Sequence, residues 1–121
     1  MKKRILTIED SMFERKAIIN LLRKGGYTDV IEAENGAEGV EKYKKEKPDL
    51  VLLDLRLPGE PAGLDVFRAL KKINPAVKCI VVSIVRAKET MDEALKLGVK
   101  AYITKPVTEQ KLVTEVKKVI G

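Results

Sequence analysis

The chain has no histidine, no tryptophan, one cysteine, two phenylalanines and three tyrosines among 121 residues. Lacking histidine, it cannot assemble the nitrogen and sulfur ligand sets that zinc prefers, and imidazole-based nucleophilic catalysis is excluded. The lone Cys79 lies in Val77-Lys78-Cys79-Ile80-Val81-Val82, an apolar setting that marks a buried structural thiol. No apolar run approaches the ~20 residues that cross a bilayer. The basic start Met1-Lys2-Lys3-Arg4 passes straight into a strand-length segment ending in Glu9-Asp10 and is no secretory leader. A cytoplasmic chain without membrane contact is expected. The scarcity of aromatics also weighs against nucleic acid. The formal charge is +6, from 24 Lys+Arg against 18 Asp+Glu, but the cations are scattered, often with a glutamate one turn earlier (Glu38/Lys42, Glu41/Lys45). Such spacing belongs to solvated helix faces, and no aromatic is interleaved with a basic cluster as base stacking requires. No direct nucleic-acid binding is expected.

What is present is an alternation of short apolar runs and amphipathic stretches. Arg4-Ile5-Leu6-Thr7-Ile8 reads as a strand. Ser11 caps a helix from Met12 to about Lys24, with Phe13, Ala17, Ile18, Leu21 and Leu22 at helical spacing and Gly25-Gly26 as its left-handed stop. A second strand, 29 to 33, is followed by Asn35 and, three residues on, Glu38, an amide version of a capping box for a helix over 36 to 46. Leu50-Val51-Leu52-Leu53 has no polar alternation, the mark of a strand covered on both faces, and Pro58-Gly59 shows where pairing must stop. Further on come a helix over 64 to 73, an apolar strand over 77 to 83, and a helix whose lining is expected from Met91, Ala94, Leu95 and Leu97. A strand over 100 to 104 and a last helix capped by Thr108 complete the series. Five strands alternating with five helices argue an α/β fold, a doubly wound parallel sheet with right-handed crossovers. At 45% hydrophobic and 35% charged residues, one domain over 1–121 is expected, with no output domain in this chain.

A parallel sheet points all its strand ends one way, and ligands collect at the carboxyl edge. The strands here deliver Glu9 and Asp10, Asp54, Ser83 and Lys105 to that edge. Taken singly each has an ordinary reading: a turn-forming acid, a turn hydroxyl, a solvated loop lysine. Taken together, three carboxylates would repel one another unless a cation sits among them. Oxygen donors without His or Cys select Mg²⁺. A metal, an ammonium and a carboxylate nucleophile suit phosphoryl transfer, and the central strand makes Asp54 the candidate nucleophile.

With those residues in view, the chain resembles, over its whole length, the receiver domains of bacterial two-component response regulators, the CheY-like family. The marks are the acid pair Glu9-Asp10, Asp54 in Leu52-Leu53-Asp54-Leu55-Arg56-Leu57-Pro58, Ser83, Tyr102 and Lys105-Pro106. The resemblance implies a flavodoxin-like sheet in the order 2-1-3-4-5. It implies that Asp54 accepts a phosphoryl group from the phosphohistidine of a histidine kinase or phosphotransfer protein. Mg²⁺ would be held by Asp10, Asp54 and the backbone carbonyl of Arg56, with Glu9 acting through water. Lys105 would pair with the phosphoryl group, Ser83 would move to bond it, and Tyr102 would swing inward. The face of helix 4, strand 5 and helix 5, with Lys88, Met91, Tyr102 and Val107, would then prefer a downstream protein target. The chain is expected as a monomer or a weak dimer on activation, a switch and not an enzyme beyond its own phosphorylation and dephosphorylation.

Four features depart from the family pattern. The acid pair is Glu-Asp, the 59 to 62 loop is one residue longer, Ile84 stands where a small residue is usual, and Arg56 and Val85 occupy positions that tune phosphoryl lifetime in the family. Arg56, long and cationic, and Val85, which cannot position water, lead to the expectation of a long-lived phosphoryl state. Among rivals, a dehalogenase-type phosphatase needs a second acid two residues after Asp54, where Arg56 stands. A nucleotide-binding module wants a glycine-rich loop after the first strand, where Glu9-Asp10 would repel phosphate. The alternative that stays open is a receiver-like interaction module acting without phosphorylation.

Overall fold

A computed structural model of the chain describes residues 2–121. Ten elements follow one another without a break in the alternation: β1 Arg4–Ile8, α1 Met12–Lys24, β2 Asp29–Ala33, α2 Gly36–Glu46, β3 Leu50–Leu53, α3 Leu64–Ile73, β4 Cys79–Ser83, α4 Lys88–Leu97, β5 Ala101–Thr104 and α5 Glu109–Ile120. The strands pair parallel in the order β2-β1-β3-β4-β5. The expected α/β class and strand order therefore hold.

The strand period of two sorts each strand's side chains into two cores. Leu50 and Leu52 of β3 join Ile5, Ile80 and Val82 under α1 and α5, whose Ile18, Leu22, Leu112 and Val116 are buried there. Val51 and Leu53 face the opposite way, onto Leu6, Ile8, Val66, Phe67 and Leu70. A one-residue slip of β3 would exchange the two sets, so packing on both faces pins its register. That register pairs Ile5 with Leu50 and Ile8 with Leu53, and on the other flank Ser83 with Thr104. The carboxyl ends of β1 and β3 are thus level, and Glu9 and Asp54 follow side by side.

Local signals set the helix ends as read. Ser11, Asn35 and Thr108 each accept a hydrogen bond from the amide three residues on. Gly26, at φ 94°, supplies the left-handed residue that ends α1. Five expectations need correction. The strands over 77 to 83 and 100 to 104 begin later, at Cys79 and Ala101. Glu38 does not close the capping box on Asn35, because its carboxylate accepts from the Glu34 amide instead. In α1 the buried positions are Arg15, Ile18 and Leu22, spaced by three and four, so Phe13 (85% exposed) and Ala17 fall off that face. In α4 only Ala94 is buried, and Leu95, a quarter-turn round, is exposed.

Two glycines of α2 let neighbouring chain approach closely. A Cβ on Gly36 would stand 2.1 Å from the carbonyl oxygen of Pro61, so the 59 to 62 loop rests on the start of this helix. A Cβ on Gly39 would stand 2.4 Å from Ile8 Cδ1, in the turn of chain that leads to Glu9. Gly39→Ala should therefore lower stability by about 1–3 kcal/mol, although alanine is the better helix former by ~1 kcal/mol. A thermal melt that rises instead would show that Ile8 repacks freely.

Candidate functional site

Backbone pairing carries the acids to one place. The Asp54 amide donates to Ile8 O at 3.1 Å, and the Lys105 amide to Ser83 O at 3.0 Å. One carboxylate oxygen each of Glu9, Asp10 and Asp54 lie within 4.8 Å of one another. Glu9 and Asp54 are buried, at 2% and 5% exposure, whereas Asp10 is exposed. An oxygen-only donor set, part buried and open on the Asp10 side, fits a hard divalent cation that keeps several waters.

Lys105 is the counter-charge within this cluster. Its Nζ lies 2.6 Å from Glu9 Oε1, 3.0 Å from Asp54 Oδ2 and 2.6 Å from Glu14 Oε1. The ammonium therefore bridges the two buried acids directly. Burial alone would disfavour the charge on Lys105, but the contacts with Glu14, Glu9 and Asp54 outweigh it and raise its pKa. Glu9 is pushed up to about 7, foremost by burial; the Lys105 contact pulls it down, Asp54 pushes it up, and the Ser11 amide at 3.1 Å pulls it down again.

The remaining expected residues fall into a second group. Arg56 is exposed, and the contact it makes with Asp54 is through its amide, which donates to Oδ1 at 3.0 Å. Ser83 is fully buried, and its Oγ accepts from the Val85 amide at 3.2 Å. Half-buried Tyr102 donates its hydroxyl to the Val85 carbonyl at 2.7 Å. Desolvation, with a smaller contribution from the Asp54 charge, raises the pKa of that phenol. Val85 is thus held from both sides, by Ser83 and by Tyr102, and neither of those hydroxyls hydrogen-bonds to the acids.

Two functional contacts escaped the sequence reading. Glu14 is one. Arg15 is the other: a guanidinium only 4% exposed, donating to Glu9 O at 2.7 Å and to Glu32 Oε1 at 2.8 Å. It ties the backbone beside the acid pair to the end of β2. Its place in the buried series Arg15, Ile18, Leu22 was the available signal, a cation on an otherwise apolar face. Beside the site, a groove of about 200 Å³ runs between α1 and the turn after β5, with Phe13, Ala17, Leu21, Pro106 and Val107 along it. A larger concavity, about 930 Å³ and open, lies on the outer side of α1 and β2 and holds none of the clustered acids, so size does not mark the chemistry here.

A family model described as the response regulator receiver domain matches residues 5–117. The chain belongs to that family. This receiver is 40% identical to the chemotaxis protein CheY of Thermotoga maritima over 119 residues, 98% of each chain. It is 35% identical to the Bacillus subtilis CheY over the full length of both. Among solved structures, the CheX-CheY-BeF3-Mg²⁺ complex from Borrelia burgdorferi superposes with a TM-score of 0.92 at 25% identity, covering 98% of this chain and 90% of that one. A receiver domain protein from Methanospirillum hungatei gives 0.89 at 30% identity, over 98% and 93%. Among the described residues, no helix of this receiver is long and apolar enough to cross a membrane.

The position of Glu9 carries a pH signature. Between about 4.5, the ordinary value, and about 7, the folded protein holds a proton that the unfolded chain has released. Stability without divalent cation is therefore full below pH 4.5 and falls as pH rises through 7, by about 1 kcal/mol per pH unit at its steepest. Urea midpoints across pH 4.5 to 7.5 check this, and Glu9→Gln should flatten the slope in that window.

Proposed function

We propose that this receiver is a phosphorylation-dependent signalling switch in which Asp54 takes a phosphoryl group from the phosphohistidine of a histidine kinase or phosphotransfer protein. The observation that carries the reading is the buried Asp54 carboxylate sharing Lys105 with Glu9 while lying within a carboxylate's reach of Glu9 and Asp10. An Asp54 oxygen attacks phosphorus, the bond from phosphorus to the donor imidazole breaks, and the electron pair leaves on that nitrogen. Asp10, Asp54 and the Arg56 carbonyl would hold Mg²⁺, with Glu9 acting through water, and the bound ion would supply positive charge for the oxygens of the transferring group. Lys105 supplies the protein's own positive charge at the same place.

The conformational answer follows from the second group of contacts. A phosphoryl group adds about −1.5 to −2 charge and new acceptor oxygens. Ser83, turning its hydroxyl toward those oxygens, gives up the Val85 amide. Val85 also anchors Tyr102, so the aromatic on β5 and the start of α4 respond together. The population shifts only as far as the phosphoryl group prefers the new arrangement. The face of α4, β5 and α5, with Lys88, Met91, Tyr102 and Val107, offers that arrangement to a downstream protein target. The exposed Met12 and Phe13, beside the groove at the site's edge, offer the donor protein an apolar foothold. The protein then acts on no substrate of its own beyond its own phosphorylation and dephosphorylation, in the cytoplasm, as a monomer or weak dimer. The 1–121 chain is one receiver unit in this reading.

Incubation with a small phosphodonor and Mg²⁺ should add one phosphoryl group to the wild type and none to Asp54→Asn, read by intact mass. An unlabelled wild type would favour the interaction module that works without phosphorylation. Arg56 is exposed beside Asp54, while Val85 has both backbone groups engaged and no polar side chain to orient water. Arg56→Asn should therefore release phosphate severalfold faster, measured as decay of the labelled mass after donor removal. Unchanged decay would take Arg56 out of the account.

A further inference from the structure

Glu14 stands outside the acids that the strand ends supply. It is the third residue of α1, and its amide is capped by Ser11 Oγ at 3.2 Å. A glutamate there ordinarily folds back onto the amide of the capping residue. That amide is taken, because Ser11 N donates to Glu9 Oε2 at 3.1 Å. The Glu14 side chain reaches the active-site ammonium instead, 2.6 Å from Lys105 Nζ. An ammonium has three N–H donors; Glu9 and Asp54 accept two of them, and the Glu14 carboxylate is ion-paired with the same Nζ at 2.6 Å. A phosphoryl oxygen can bond Lys105 only by displacing one of these carboxylates.

Burial decides which. The side chains of Glu9 and Asp54 are 2% and 5% exposed, so while a donor approaches and Asp54 is still a free carboxylate, losing the ammonium would leave both dry and without their partner; Glu14 is 44% exposed, and water can replace its partner. Glu14 is the carboxylate that yields. Until it does, it draws Lys105 toward α1 and adds a negative charge at the site's mouth, where an anionic donor must enter.

We propose that Glu14 is a specificity-determining residue that restrains Lys105 before phosphorylation and selects among donors by charge, turning away small dianionic phosphodonors. A donor protein docked over α1 escapes this selection by covering the Glu14 carboxylate. The inference rests on Asp54 being the acceptor. With acetyl phosphate, the Asp54 oxygen bonds phosphorus as the bond from phosphorus to the acetyl oxygen breaks, and the electron pair leaves on acetate.

The experiment measures initial phosphorylation rates by intact mass, with Mg²⁺, over a range of acetyl phosphate and phosphoramidate concentrations, for wild type, Glu14→Gln and Glu14→Asp. At low salt, Glu14→Gln should raise the acetyl phosphate rate at sub-saturating donor by about three- to tenfold. The gain should shrink toward unity near 0.5 M salt as exposed charges are screened. Phosphoramidate, with one negative charge fewer, should gain less, and Glu14→Asp should stay near wild type. Urea unfolding of Glu14→Gln, Lys105→Met and the double variant reads the contact independently, and non-additive losses are expected. Labelling of wild type with an unchanged rate in Glu14→Gln would overturn the role of Glu14 and leave Asp54 standing. A gain that ignores salt, or additive losses on unfolding, would overturn the charge account. Failure of wild type to label at all would overturn the acceptor reading and this inference with it.

Discussion

One ammonium, that of Lys105, holds the acidic edge of this receiver together. Two carboxylates with 2% and 5% exposure cannot lie side by side as anions without a partner. Lys105 meets both and takes a third from α1. Because it arrives from β5 while Glu9, Asp54 and Glu14 come from β1, β3 and α1, the ion cluster ties first, central and edge strands to one helix. The strand-end acids gain a fourth carboxylate: Glu9, Asp54 and Glu14 meet the single ammonium and Asp10 lies beside Glu9 and Asp54, a surplus of negative charge that favours a divalent cation among Glu9, Asp10 and Asp54.

The cluster depends in turn on register. Parallel pairing between β1 and β3 is held by side chains packed on both faces of the sheet, so the residues following Ile8 and Leu53 must emerge level. Gly39 lets Ile8 nest against α2, and Arg15 clasps the carbonyl of Glu9 from the other side. The acid loop is thus fastened by packing, by a buried guanidinium and by the Ser11 amide. A scaffold of this kind keeps donor atoms in place while charge is added and removed, which is what a site that cycles between two states requires.

In the proposed switch, Val85 links this rigid edge to the part that responds. Its amide serves Ser83 and its carbonyl serves Tyr102. Its own side chain packs against the core formed around Phe67 and Val81. In the proposed switch a small displacement of Ser83 is passed on through one residue's backbone, so no long relay of contacts is needed. The region it leads into is also the most lightly anchored helix of the five, since α4 buries Ala94 alone.

The amino-acid sequence by itself determined the element types, the strand-end acids, Ser83 and Lys105. Apolar runs of strand length, capping residues and terminating glycines act over a few neighbours, and such local preferences are written in order along the chain. Asp54 stands out in the sequence only beside the other strand-end residues, since a lone carboxylate there reads as a turn former. Only the tertiary structure decided which face of α1 is buried, because Phe13 and Arg15 exchange the places that hydrophobicity assigns them once Arg15 finds Glu9 O and Glu32. Only it turned Glu14 toward Lys105, ninety-one positions away, after Glu9 had taken the Ser11 amide that Glu14 would otherwise bind. Competition among side chains for one donor is settled by which groups meet in space, and sequence spacing carries no record of that.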